Sequence, residues 1–114
     1  MRSNQVIKAV CDWYGVSLEQ LRRGYNEGGD KRLLINARWA AMHILEDRCE
    51  LTRLQIGKLL NRNHTTVDYG MRQVRYRAHK HEQLTKDIKA INSLLDATEY
   101  QRLKQMLSKL TESR

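Results

Sequence analysis

The sequence has few of the residues that break helices. It contains no proline and no phenylalanine, and only six glycines among 114 residues. Collagen-like and low-complexity chains need far more proline and glycine, so these classes are excluded. Hydrophobic residues make up 40% of the chain, which is enough for a modest core. This length predicts one domain, with at most an added helix.

Long apolar runs and a cysteine framework are also missing. No run approaches the ~20 apolar residues that span a bilayer, and the N-terminus lacks the apolar run of a signal peptide. Two cysteines, Cys11 and Cys49, cannot form a disulfide framework. Their apolar neighbours favour two buried thiols in a reducing cytoplasm over a disulfide. Neither cysteine has zinc-type spacing with His43, so we expect no metal.

Acidic residues are in the minority. The chain has 21 lysines and arginines against 13 aspartates and glutamates, for a formal net charge of +8. Such an excess of positive charge indicates which partners the protein binds rather than how it folds. It favours polyanions such as nucleic acid.

Apolar residues recur at helical spacing almost throughout, and no useful stretch alternates with a period of two. We therefore predict an all-α fold of about five to seven helices. Capping boxes at Ser17 and Thr52 and a cap at Asp30 predict three of the helix starts. The clear loop is "GYNEGGD", residues 24–30, with Gly24 ending the helix before it.

The C-terminal fifth of the chain changes its pattern. A narrow apolar seam runs to Leu95, and Asp96 with Glu99 then resembles another capping box. This predicts a kink or a new helix, so we expect 96–114 to be an additional C-terminal helix. Its apolar stripe, Leu103 to Leu110, favours core packing. The open alternative is that residues 96–114 form a surface for self-association or for a protein partner.

The stretch "NRNHTTVDYG", residues 61–70, joins two predicted helices. A helix of about two turns, a three-residue turn and a second helix with basic residues outside predict a helix-turn-helix. The second helix then enters the major groove, and short polar side chains at its start can reach base edges. We expect these base contacts from Asn63, His64, Thr65 and Thr66. The simpler alternative for each is a solvent-exposed helix cap.

The stretch "IGKLLNRNHTTVDYG" resembles the signature of the C-terminal DNA-binding domain of DnaA, the bacterial chromosomal replication initiator. A second block, "ARWAAMHIL", resembles another motif of that family, and the likeness covers about residues 4–95. It implies a Trp-repressor-like helix-turn-helix domain, taken here as 1–95, in which His64, Thr65 and Thr66 read bases. The family also inserts an arginine from its basic loop into the minor groove. The candidates for backbone or minor-groove contact are Arg22, Arg23, Lys31, Arg32, Arg38, Arg62, Tyr69, Arg72 and Arg75.

Several of these residues have a second interpretation that does not involve DNA. Arg38 beside Trp39 equally predicts a stacking pair at the edge of the core, and Arg72 and Arg75 equally predict a solvated face. Asn63 stands where the family has aspartate, and an amide can donate as well as accept. The loop is longer than in the family and lacks its arginine-rich run.

No enzyme signature is present. The sequence has no G-x-x-x-x-G-K-[ST] motif, so the resemblance does not extend to an ATPase domain, and no nucleophile has a base at a suggestive spacing. We expect no cofactor and no small-molecule substrate. The expected function is sequence-specific binding of double-stranded DNA at DnaA-box-like sites in replication or transcription control. It would act in the bacterial nucleoid or a phage-infected cell. The alternatives are non-specific nucleic-acid binding and a protein-interaction module.

Overall fold

The computed structural model describes residues 1–23 and 30–112, and every regular element in that part is helical. The all-α prediction is thereby confirmed. Residues 24–29, including the predicted stop at Gly24, lie outside the described residues. The helices are α1 (Ser3–Tyr14), α2 (Leu18–Arg22), α3 (Lys31–Cys49), α4 (Arg53–Leu60), α5 (His64–Tyr76) and α6 (Glu82–Glu112), with a 3-10 turn at Ala78–Lys80.

Local hydrogen bonds set several of these boundaries. Ser17 and Thr52 form the predicted capping boxes, because each hydroxyl accepts from the backbone three residues on. The carboxylate of Asp30 accepts from two backbone N–H groups at the start of α3. Helix α1 ends at Gly15, whose φ of 66° is a left-handed conformation that glycine adopts without strain.

Helix α3 lies at the centre and contacts all five other helices. Its buried side chains meet those of α1, α4, α5 and the first half of α6 in one core. Helix α5 packs closely on α3 at Gly70, where an added Cβ atom would lie 2.7 Å from Cδ1 of Trp39. A side chain on Gly70 would therefore displace the Trp39 side chain from its place between the two helices. Leu54 of α4 lies outside this core and is 58% exposed.

Helix α6 corrects two predictions about the C-terminal part. It runs without interruption through residue 96, so the predicted start of a new helix there is wrong. Asp96 lies inside the helix, and its carboxylate pairs with Arg48 of α3 over 2.7 Å. The expected core packing of the Leu103–Leu110 stripe is also wrong, since these side chains are exposed. The seam that is buried consists of Leu84, Ile88, Ile91 and Leu95.

Within the described chain, no helix has both the length and the apolar character needed to cross a membrane. Cys11 and Cys49 are free, half-buried thiols. Burial raises the pKa of both, which keeps them protonated.

Candidate nucleic-acid interface

The turn between α4 and α5 depends on a glycine. The N–H of Arg62 donates to the carbonyl oxygen of Gly57 over 2.8 Å and so closes the end of α4. A Cβ atom at Gly57 would overlap the carbonyl oxygen of Arg62. Asn61 takes a left-handed conformation at φ 54°, which asparagine tolerates better than most residues. The "NRN" break predicted from the sequence therefore forms a tight helix-turn-helix.

Asn63 caps α5. Its Oδ1 accepts from the backbone N–H of Thr65 at 3.1 Å and from the Thr65 hydroxyl at 3.2 Å. Two local hydrogen bonds thus join Asn63 to Thr65 at the start of α5. His64 and Thr66 are exposed, and their side chains make no hydrogen bond with other described residues. The helix start therefore presents two uncommitted polar side chains to solvent.

The outward face of α5 continues this polar start. Val67, Gly70, Met71 and Val74 are buried against the core. Helical spacing places Thr65, Tyr69, Arg72 and Tyr76 on the opposite side. Tyr69 is 54% exposed and packs edge-on against Trp39, with ring centroids 6.2 Å apart. Tyr76, 74% exposed, was missed from the sequence, although its spacing from Tyr69 and Arg72 was visible there.

Ion pairs fix the orientation of α5. Arg75 pairs with Glu46 of α3, and Arg53 of α4 pairs with Asp68 of α5. Arg53 also lies 3.6 Å from the Glu46 carboxylate, so the four charges form one network over three helices. Arg75 is therefore partly neutralised within the fold. Arg72 is exposed and makes no ion pair or hydrogen bond in residues 1–23 and 30–112.

Arg38 corrects a site prediction. Its side chain is 1% exposed, so the expected phosphate contact is wrong. The guanidinium donates to the carbonyl oxygens of Leu21 at 2.7 Å, Gln20 at 3.2 Å and Arg23 at 2.6 Å. A buried arginine thus satisfies the carbonyl groups at the end of α2. The predicted Arg38–Trp39 stacking is not seen either, since Trp39 meets Tyr69 and His81.

Arg22 and Arg62 also bind helix ends. Nη1 of Arg22 donates to the carbonyl oxygen of Leu59 at 2.7 Å, at the end of α4. Arg62 donates back to the carbonyl oxygens of Arg22, at 3.2 Å, and Arg23. These two arginines therefore have structural roles that sequence reasoning did not find. Their DNA contacts stay predictions.

The remaining basic candidates flank residues 24–29. Arg23 precedes this segment and pairs with Glu19, while Lys31 and Arg32 follow it in the first turn of α3. All three are exposed. Because Arg62 binds the Arg23 carbonyl, Arg23 lies beside the turn that precedes α5.

His43 lies behind α5, half-buried on α3. Burial lowers the pKa of its imidazole; Arg75 nearby lowers it further, while the nearby carboxylates Asp47 and Glu46 oppose the shift. Its Nδ1 is buried and has no hydrogen-bond partner in the described structure. The neutral ring is therefore the form that the fold favours.

These features define a helix-turn-helix DNA-binding domain. Residues 3–74 match the family model described as the bacterial dnaA protein helix-turn-helix, and the chain belongs to that family. The resemblance read from the sequence is thereby confirmed.

Two relatives give the extent of the similarity. The chromosomal replication initiator protein DnaA of Thermomicrobium roseum is 34% identical over 91 residues, which cover 79% of this chain and 19% of that protein. The DnaA protein of Chloroflexus aurantiacus is 31% identical over 87 residues, covering 75% and 17%. The chain thus spans less than a fifth of the curated relatives it matches.

Proposed function

We propose that the chain binds short duplex DNA sites of the DnaA-box type and reads their sequence with the start of α5. The exposed pair His64 and Thr66 carries this proposal. Asn63 caps the helix through its side-chain oxygen, so the two neighbouring side chains are left uncommitted on the surface. Polar groups at the start of a recognition helix are the ones that reach base edges in the major groove.

The four candidate residues then have different roles in base contact. The ring of His64 can donate or accept, and the methyl group of Thr66 can pack on a thymine methyl while its hydroxyl bonds nearby. Thr65 points along the outward face with its hydroxyl directed to Asn63. The amide nitrogen of Asn63 is free of its capping bond and can donate to a base acceptor.

Phosphate contacts position this helix on the duplex. Arg72 provides a positive charge with no partner among the described residues, and the hydroxyl groups of Tyr69 and Tyr76 lie on the same face. We propose that these three side chains follow one DNA strand. Arg75 contributes less, because Glu46 already neutralises part of its charge.

A basic side chain next to the connection between α2 and α3 supplies the proposed minor-groove contact. Arg23 at its start lies beside the helix-turn-helix, held there by Arg62. Lys31 and Arg32 at its other end are exposed in the first turn of α3. One of these three side chains would enter the minor groove next to the site that α5 reads.

Binding of this kind suits control of replication initiation, or of transcription at the same sites, on chromosomal, plasmid or phage DNA. Selection of bound sites from random duplexes tests the proposal. The expected result is one short asymmetric consensus, which disappears in a His64→Ala/Thr66→Ala double variant that stays folded by circular dichroism. Enrichment of no consensus would favour non-specific nucleic-acid binding instead.

A further inference from the structure

The last part of α6 projects from the domain body. The last core side chain on this helix is Leu95, and every described side chain beyond residue 99 is exposed. The 31 residues of α6 make a rod about 46 Å long at 1.5 Å per residue. The molecule accordingly measures 56 Å along one axis and 28 and 26 Å along the others.

This projecting helix carries an apolar seam. The seam consists of Tyr100, Leu103, Leu107 and Leu110, which are 52–66% exposed. Their spacing of three, four and three residues is the a/d spacing of a coiled coil, which fits another helix. Leu103 follows Leu95 by eight residues, so the seam is rotated by about 80° from the buried seam of the same helix. It is therefore a second surface, separate from the one that packs on the core.

We propose that this seam pairs in parallel with the same seam of a second copy of the chain. Leucine at the d positions Leu103 and Leu110 suits a two-stranded coiled coil. The charges beside the seam fit a second copy in this direction. Glu99 occupies a g position and Lys104 the following e position, so parallel pairing places Glu99 of each copy beside Lys104 of the other.

Antiparallel pairing would lose this match. It brings the e positions of both copies together, and Lys104 of one copy would then face Lys104 of the other. Neither Glu99 nor Lys104 has an ion-pair partner within the described residues, so both charges are available for a second copy. The direction of pairing thus follows from charge, and the pairing itself from the seam.

The contact is small. Four seam residues per copy cover much less than the roughly 800 Å² per partner of a standard stable complex. The dimer therefore forms reversibly and only at high protein concentration. Two joined copies would carry two α5 helices, a consequence that rests on the proposed function, whereas the pairing does not.

Sedimentation equilibrium of the chain, from micromolar concentration up to about 1 mM, tests the pairing, since a dissociation constant below 1 mM is then detectable. We expect the mass to rise towards twice that of the monomer. Leu103→Lys/Leu107→Lys should remain a monomer. The matched control Gln101→Lys/Gln105→Lys adds the same charge on the opposite face and should dimerise nearly as the parent does. A monomer throughout, a different oligomer, or a dimer unaffected by Leu103→Lys/Leu107→Lys would overturn the proposal.

Charge exchange tests the direction. Glu99→Lys and Lys104→Glu should each weaken dimerisation several-fold, and the double exchange should restore it, because each copy again faces an opposite charge. Single variants that leave the association unchanged, or a double variant that stays as weak as the singles, would overturn the parallel arrangement. Circular dichroism of each variant confirms that α6 is retained.

Discussion

The side chain of Arg22 reaches the end of α4, where its Nη1 donates to the carbonyl oxygen of Leu59 over 2.7 Å. Arg62 returns the contact by donating to the carbonyl oxygen of Arg22 over 3.2 Å. Arg22 thus satisfies a carbonyl group at the end of α4, and Arg62 satisfies one at the end of α2. The end of α2 is therefore attached to the helix-turn-helix, which holds Arg23 beside the turn that precedes α5.

Replacing Arg38 and replacing Arg72 should have different effects on the stability of the fold. Arg38→Ala leaves carbonyl oxygens at the end of α2 without their donor and should lower the free energy of unfolding by about 2–4 kcal/mol. Arg72→Ala removes the same charge from an exposed position and should change it by less than about 0.5 kcal/mol. Urea denaturation measures both. Equal stability of the two variants would contradict the capping role of Arg38.

Gly57→Ala should damage the turn before α5. The added Cβ meets the carbonyl oxygen of Arg62, which is backbone and cannot swing away. We expect a loss of about 1–3 kcal/mol from this overpacking, although alanine is otherwise the better helix former. Lys58→Ala, at the exposed next position, is the control and should unfold like the parent. A Gly57→Ala protein as stable as that control would show that the turn tolerates a side chain.

Stability should fall as the solution is made acidic. The folded pKa of His43 is lowered, so below the ordinary value of about 6.5 the unfolded chain binds more protons than the folded one. The melting temperature should therefore drop between pH 7 and pH 5. His43→Gln should show a smaller drop over the same range, since the group that takes up the proton is gone. An identical pH dependence in both proteins would rule out His43 as the source.

A chain shortened to residues 1–99 should keep its DNA affinity. It retains every buried residue of α6 and the Arg48–Asp96 pair, and loses the exposed seam. We expect specific binding within a factor of about two of the full chain, because none of the proposed DNA contacts is removed. Loss of specific binding in a shortened protein that remains folded would show that the DNA-binding unit extends beyond residue 99.

Salt should weaken DNA binding steeply. If the basic surface neutralises on the order of six phosphates, log affinity should fall with log salt concentration at a slope of about −5. Arg72→Ala should flatten the slope by about one unit. Fluorescence anisotropy on a labelled duplex measures it, and a slope near zero would contradict nucleic-acid binding altogether.

Sequence patterns predicted those features of the fold that depend on local hydrogen bonds and on the helical spacing of apolar residues. The capping boxes at Ser17 and Thr52 and the helix break at 61–63 appear as predicted. Arg38 could not be placed in this way, because its acceptors come from α2, 15–18 residues earlier.

The errors in α6 have the same cause, because contacts between helices distant in sequence decide both features. Asp96 and Glu99 have the spacing of a capping box, but no glycine or proline breaks the helix there, and Arg48 of α3 binds the Asp96 carboxylate. The Leu103–Leu110 stripe looks like core from its spacing alone. Whether other helices extend far enough to cover it is a property of the packed fold.

The ratio of affinities for the selected site and for random duplex DNA tests the assignment of α5 most directly. His64→Ala and Thr66→Ala should each cost about 1–3 kcal/mol on the selected site and much less on random DNA, so the ratio should shrink. Arg72→Ala should weaken both duplexes alike and leave the ratio unchanged. If His64→Ala and Thr66→Ala instead weaken both duplexes equally, α5 does not read bases and its polar start is only a capped helix end.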